Sequence, residues 1–96
     1  MIIYRRAKLS DVEDMMALIN LHVEKGFMLP RTRNTLYEGI REFVVAVEHG
    51  KLIGTGSLHI IWDDLAEIRA LAVDPDAQNK GIGRKIVEIL LEEAVE

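Results

Sequence analysis

The 96-residue chain is predicted to fold as a mixed α/β (α+β) unit of order β-α-α-β-β-β-α, with antiparallel strands at its centre. Three observations carry that expectation. A β-branched and aromatic run opens the chain, residues 43–73 are dense in β-formers broken only by turn residues, and apolar residues at helical spacing flank that region on both sides. A chain of this length has room for one domain. Apolar residues at 49% and charged residues at 29% are the balance of a globular protein. No run approaches the roughly 20 apolar residues of a membrane span. Arg5, Arg6 and Lys8 are followed by Asp11, Glu13 and Asp14 rather than an apolar stretch, so no secretory signal is expected and a cytoplasmic location is. The chain has no cysteine, which excludes disulfides, thiolate metal sites and a cysteine nucleophile. Twelve Lys+Arg against 16 Asp+Glu give a net charge of −4. A duplex-binding module is usually basic, so neither nucleic acid nor membrane is expected as a partner.

The elements follow in order. Residues 1–4 read as a first strand. Ser10-Asp11-Val12-Glu13 fits a capping box, and Val12, Met15, Met16, Ile19 and Val23 continue it as a helix to about Glu24, closed near Gly26. Residues 27–34, with Pro30, read as a loop. Thr35 to Glu38 fits a second capping box, opening a short helix through Ile40. Residues 43–47 are a strand buried on both faces. His49-Gly50 occupies the place of a two-residue hairpin turn, and residues 51–61 return, with Gly54 and Gly56 marking a bulge or a close backbone approach. Residues 62–64 turn the chain, residues 65–73 form a third consecutive strand closed by Asp74-Pro75, and Ile82, Ile86, Ile89 and Leu90 share one face of a last helix.

The segment Gln78-Asn79-Lys80-Gly81-Ile82-Gly83-Arg84 joins a buried strand to the N-terminus of that helix. Unpaired backbone N–H groups and the positive end of the helix dipole make such a junction an anion site. Gly81 and Gly83 admit a bulky phosphate close to the backbone, and Lys80, Arg84 and Lys85 add charge. A Rossmann fingerprint needs a third glycine where Ile86 stands, and a Walker A loop needs Gly-Lys-Ser/Thr, which is absent. On spacing alone, a glycine-assisted loop with solvated charges stands beside the anion site as an equal reading.

The run from Glu67 through Val73-Asp74-Pro75, followed by Gln78-Asn79-Lys80-Gly81-Ile82-Gly83, closely resembles the GNAT N-acetyltransferase superfamily. Within it, residues 26–43 and 66–73 look most similar to amino-acid acetyltransferases of the N-acetylglutamate synthase type. The resemblance implies acetyl-CoA as cosubstrate and a primary amine, such as the α-amino group of an amino acid, as acceptor. It implies that the backbone of Gln78, Asn79, Lys80, Gly81, Ile82 and Gly83 cradles the CoA pyrophosphate, with Arg84 at its edge. The exposed backbone of Leu71, Ala72 and Val73 would pair with the pantetheine arm, next to a β-bulge, and a backbone N–H there would polarise the thioester carbonyl. Glu67 becomes the candidate general base, against the alternative of a solvated carboxylate paired with Arg69. Arg31 matches an arginine near the substrate carboxylate in the glutamate-acetylating relatives, against the alternative of an exposed loop arginine. No metal is implied. His59 reads as a hydrogen-bonded core histidine on one face with Ile53 and Ile61, and neither His22 nor Trp62 is assigned to a site.

The family continues beyond the last helix with a further strand, a helix and a closing hairpin, so a C-terminally truncated GNAT domain is expected. An unpaired apolar strand at residues 65–73 then invites self-association, most simply as a homodimer. A non-catalytic CoA-binding module and a self-associating half-domain stand as the alternatives to an active N-acetyltransferase.

Overall fold

Phe43, Val44, Val45 and Ala46 are all buried, as a strand covered on both faces requires. They begin β2 (Phe43–Glu48), which lies between β1 (Ile2–Arg6) and β3 (Lys51–Trp62) in a computed structural model that describes residues 1–26, 32–62, 65–77 and 80–95. With β4 (Leu65–Val73) the described strands form one antiparallel sheet in the order β1-β2-β3-β4. The β2–β3 connection is the anticipated two-residue turn. His49 and Gly50 both take positive φ, 52° and 76°, the twist that matches the flanking strands.

Alternation along β2 divides the core. Phe43 and Val45 join Val12, Met15, Leu18 and Ile19 of α1 (Val12–Glu24) and Leu36 of α2 (Arg33–Glu38) on one face. Val44 and Ala46 join Ile82, Ile86 and Leu90 of α3 (Ile82–Val95) on the other. The result is a sheet between two helical layers, the fold class expected, with added 3-10 turns at Leu9–Asp11, Ile40–Glu42 and Pro75–Ala77. Gly54 and Gly56 are where α3 comes down on β3. A Cβ on Gly54 would stand 2.8 Å from Ile82 Cγ2 and 3.1 Å from Ile86 Cδ1. Both readings of these glycines hold, because the β2–β3 register also shifts between Ala46 and Val47, leaving Ile53 as an extra residue on β3.

Both helix caps differ from expectation. Ser10 is exposed and inside the 3-10 turn. The acceptor there is Asp11, whose Oδ2 takes the Lys8 N–H at 2.7 Å. Its carboxylate is also gripped by Arg5 at 2.7 and 3.0 Å, a bidentate pair that ties β1 to the start of α1. The cap of α2 is Thr32, whose hydroxyl accepts from the Thr35 N–H at 3.1 Å, so Thr35 is the third helical residue rather than the cap. The helix therefore starts earlier and includes Arg33 and Asn34, which were expected in the loop. The rest of that loop, residues 27–31, lies outside the described residues, as do residues 63–64 of the expected turn. Trp62 closes β3 instead of opening that turn.

Two outcomes follow. Gly54→Ala inserts a methyl against two β-branched side chains and should cost about 1–3 kcal/mol, read as a lower urea midpoint at unchanged slope. Asp11 supplies the second. The Arg5 hydrogen bonds hold its carboxyl below the usual range, against the opposing effect of burial and with help from the Lys8 N–H. Its contribution is thus complete above the ordinary aspartate value of about 3.9 and is lost as pH falls through the lower folded value. Asp11→Asn should cost about 1–3 kcal/mol at pH 7, a gap that closes in melts taken below about pH 4.

Candidate functional site

Two residues of β4, Ala70 and Leu71, stand opposite the single residue Gly56, because Thr55 pairs with Ala72 and Ser57 with Arg69. This is the bulge implied by the resemblance. Its first residue, Ala70, takes φ 54°, a left-handed conformation that costs a non-glycine residue about 1 kcal/mol or more. The surroundings hold it there. Ala70 is buried against the α1 layer, Ser57 Oγ donates to the Arg69 carbonyl at 3.0 Å, and Leu71 lies over Gly56, 3.1 Å from where a Cβ would be.

Beyond the bulge the backbone of β4 turns outward. The Asp74 N–H donates to the Ile53 carbonyl at 2.8 Å, which makes Val73–Gly54 a non-hydrogen-bonded pair. The N–H and C=O of Val73 therefore point away from β3, toward the open edge. His22 reaches that carbonyl from the last turn of α1, its Nε2 donating at 2.9 Å. Asp74 then starts the descent to α3. Its Oδ1 accepts the Asp76 N–H at 2.9 Å and its Oδ2 pairs with Lys51 at 3.3 Å, and these hold the carboxyl below its usual range, the Asp76 N–H first.

Gly81 takes φ 73° and accepts the Lys85 N–H at 3.0 Å, so it is the residue from which α3 departs. Gly83 has no such conformation and sits one residue inside the helix. Among the described residues a Cβ there would meet Val73 Cγ2 at 3.6 Å and Leu71 Cδ2 at 3.9 Å, both ordinary contacts. The first turn of α3, with its unpartnered N–H groups, thus adjoins the outer edge of β4. Leu71, Val73 and Gly83 form one surface. Lys80 and Arg84 flank it and, among the described residues, are held by exposed pairs to Glu48 at 3.4 Å and Glu88 at 3.2 Å. Such pairs are weak enough to yield to an anion.

Glu67 lies on β4 ahead of the bulge, half exposed, with Arg69 Nε donating to its Oε1 at 3.2 Å. Its cross-strand partner is His59, whose Nδ1 is 2.9 Å from Glu42 Oε2. His59 is hydrogen-bonded as expected, but it is not a core residue, with 41% of its side chain exposed. The extra residue at Ile53 breaks the alternation, sending Ile53 to the α3 face and His59 to the face of α1 and α2. Arg31, Gln78 and Asn79 lie outside the described residues. Arg33, two residues beyond Arg31, is bound to Glu13 at 2.6 and 2.9 Å. Among the described residues no three His, Asp or Glu side chains gather for a metal. A cavity of about 540 Å³ between α1 and the β2–β3 turn, bordered by Leu18, Leu21, Lys51 and Asp74, is lined by none of the candidate residues.

Sequence reasoning misses His22, Glu42 and His59. Each acts through a contact that only the tertiary structure creates, and His22 meets its partner across 51 residues.

Residues 12–96 match the model of the acetyltransferase (GNAT) family. The amino-acid acetyltransferase of Mycobacterium tuberculosis is 45% identical over 96 residues, a match covering 96% of this chain and 54% of that protein. That of Neisseria meningitidis is 34% identical over 91 residues, covering 94% of this chain and 21% of that one. The chain thus spans about half the length of the first relative and a fifth of the second. Among solved structures, a Mycobacterium tuberculosis protein in complex with CoA superposes with a TM-score of 0.89 at 43% identity, covering 96% of this chain and 57% of that one. The N-acetylglutamate synthase of Neisseria gonorrhoeae, complexed with coenzyme A and N-acetyl-glutamate, gives 0.91 at 33%, covering 98% and 22%. With the bulged strand, the outward backbone and the glycine-led helix all in place, the chain belongs to the acetyltransferase (GNAT) family.

Proposed function

We propose that the chain is an acetyl-CoA-dependent N-acetyltransferase domain acting on the primary amine of an amino acid, glutamate being the first candidate. The observation that carries this reading is the continuity of the outward Val73 backbone with the first turn of α3, across the space that Gly83 leaves without a Cβ. An extended amide chain ending in a pyrophosphate fits both halves. The strand edge offers hydrogen bonds to the pantetheine amides, and the helix N-terminus offers N–H groups to the phosphates. Gln78, Asn79, Lys80, Gly81, Ile82, Gly83 and Arg84 hold the phosphates, and Leu71, Ala72 and Val73 hold the arm. Support comes from the relatives named above, two of which are complexed with CoA.

In this reading acetyl-CoA supplies the thioester. A β4 N–H beside the bulge polarises its carbonyl, and Glu67 takes the proton that the acceptor ammonium must lose before its nitrogen attacks. The nitrogen attacks the thioester carbon, and the tetrahedral intermediate collapses with cleavage of the C–S bond, the departing CoA sulfur taking up the second proton that the nitrogen loses. Arg31 is assigned to the acceptor carboxylate on the family resemblance. Arg33 is bound side-on to Glu13 through Nε and Nη2 and is not assigned that role. The proposed setting is the cytoplasm, since a chain without cysteines draws nothing from an oxidising compartment.

A thiol-release assay with acetyl-CoA and an amino-acid panel tests the activity. CoA binding with no release for any acceptor would reduce the chain to a binding module. Gly83→Val tests the loop. A Cβ there meets only ordinary contacts among the described residues, and the variant, checked for folding by circular dichroism, should lose about tenfold or more in CoA affinity by calorimetry, some 1.4 kcal/mol. Unchanged affinity would remove this loop from the assignment. Self-association through the outer edge of β4 belongs to the same proposal, because among the described residues that strand is paired on one side only. One edge cannot hold both a second chain and the pantetheine arm. Light scattering should therefore show a concentration-dependent dimer that CoA dissociates, and a monomer throughout would reject the dimer.

A further inference from the structure

Glu67 has a second titratable group beside it. His59 is its direct partner across the β3–β4 pair, so the two side chains share a face with Cβ atoms about 4.5–5.5 Å apart. The ring has a fixed orientation. Its Nδ1 stands 2.9 Å from Glu42 Oε2, and a carboxylate at that distance accepts. In the neutral ring Nδ1 therefore carries the hydrogen, and Nε2 keeps its lone pair. Glu42 is itself placed by the 3-10 turn Ile40–Glu42, whose last N–H donates to the Gly39 carbonyl at 2.9 Å. A base whose far nitrogen is held by a carboxylate is the arrangement by which enzymes ready an imidazole for proton transfer.

We propose that His59, oriented by Glu42, is the proton outlet of this site. It receives from Glu67 the proton taken off the acceptor ammonium and passes it to solvent. The inference rests on the acetyl-transfer reading above. Two protons leave the acceptor nitrogen: the departing CoA sulfur takes up one to become a thiol, and the other, held by Glu67, must reach solvent before the next turnover. The steps balance. An N–H bond of the ammonium breaks as an O–H bond forms on Glu67. That O–H breaks as Nε2–H forms, giving an imidazolium whose Nδ1–H stays on Glu42. Water then removes the Nε2 proton and restores the ring. His59 and Glu42 are each 41% exposed, so the ring borders solvent on the way out. Among the described residues, the charged groups near the ring are Glu42 from the turn before β2 and Glu67 and Arg69 from β4.

The test uses the 96-residue protein, with kcat and KM for acetyl-CoA and for the acceptor amino acid measured from pH 6 to 9.5. His59→Ala should lower kcat about 10–100-fold with little change in KM for acetyl-CoA. It should also remove one ionisation from the kcat/KM profile and recover turnover when imidazole is added to the buffer. Glu42→Gln should lower kcat in the same direction, and combining it with His59→Ala should cost no more than His59→Ala alone. A purely structural role would give neither imidazole rescue nor a changed profile. On the unaltered protein, ¹⁵N NMR should report the Nδ1–H tautomer of neutral His59, and an Nε2–H tautomer would overturn the inference without any variant. A parent protein that releases no thiol refutes acetyl transfer and the outlet with it. An active parent whose His59→Ala variant keeps its rate and pH profile refutes the outlet alone.

Discussion

Helix α3 rests on bare backbone. Where it crosses β3, Ile82 and Ile86 occupy the space that side chains on Gly54 and Gly56 would fill, with separations of 2.8 to 3.1 Å from the absent Cβ positions. Helices ordinarily ride on a carpet of side chains, and removing that carpet lets this one sink toward the sheet. Its N-terminus drops accordingly to the level of the β4 edge, and so Gly83 comes within ordinary contact of Val73 and Leu71. A helix held higher would present the same N–H groups to solvent above the sheet, with no strand edge beside them. The two glycines that look like flaws in a strand therefore set the distance between the two halves of the ligand surface.

The sheet also separates two kinds of chemistry. In the proposed function anion binding belongs to the α3 side and the edge of β4. The proposed proton handling belongs to the side of α1 and α2, where Glu67, Arg69, His59 and Glu42 stand together. The bulge at Ala70 and Leu71 lies between them, with Glu67 and Arg69 before it on β4 and the outward N–H and C=O of Val73 after it. His22 secures the same strand from the opposite layer, by a bond to the Val73 carbonyl. A carbonyl has two lone pairs, so this contact orders the strand and still leaves room for a second donor.

Much of this was legible in the sequence. The limits of β4, the end of α1 near Gly26 and the His49-Gly50 turn follow from β-branched runs, helical spacing and one turn dipeptide, all of which are local. The start of α3 just after Gly81 was legible because the glycines that open it lie close together in the chain. The failures have a common cause, which is that a local pattern had a better competitor nearby. Ser10 and Thr35 each satisfy the capping-box spacing, but Asp11 has a guanidinium to fix it and Thr32 already serves the N–H of Thr35. His59 was assigned to the core by strict alternation, which one extra residue at Ile53 invalidates. Gly81 and Gly83 look equivalent in the sequence, yet one supplies a backbone angle and the other an empty space.

Removing one residue from the middle of a strand ordinarily turns every side chain beyond it to the wrong face. The bulge exempts β4 at one position. Since Ala70 and Leu71 together face a single residue, excising Ala70 would leave Thr55 opposite Ala72, Ser57 opposite Arg69 and His59 opposite Glu67. The ladder would close, the left-handed residue would vanish, and the core would keep its pattern apart from one methyl group. Val73 would still stand opposite Gly54, and what would be lost is the extra step in β4 at the bulge. Within this strand, then, the bulge residue and the residues that keep the ladder in register are separable by a single codon.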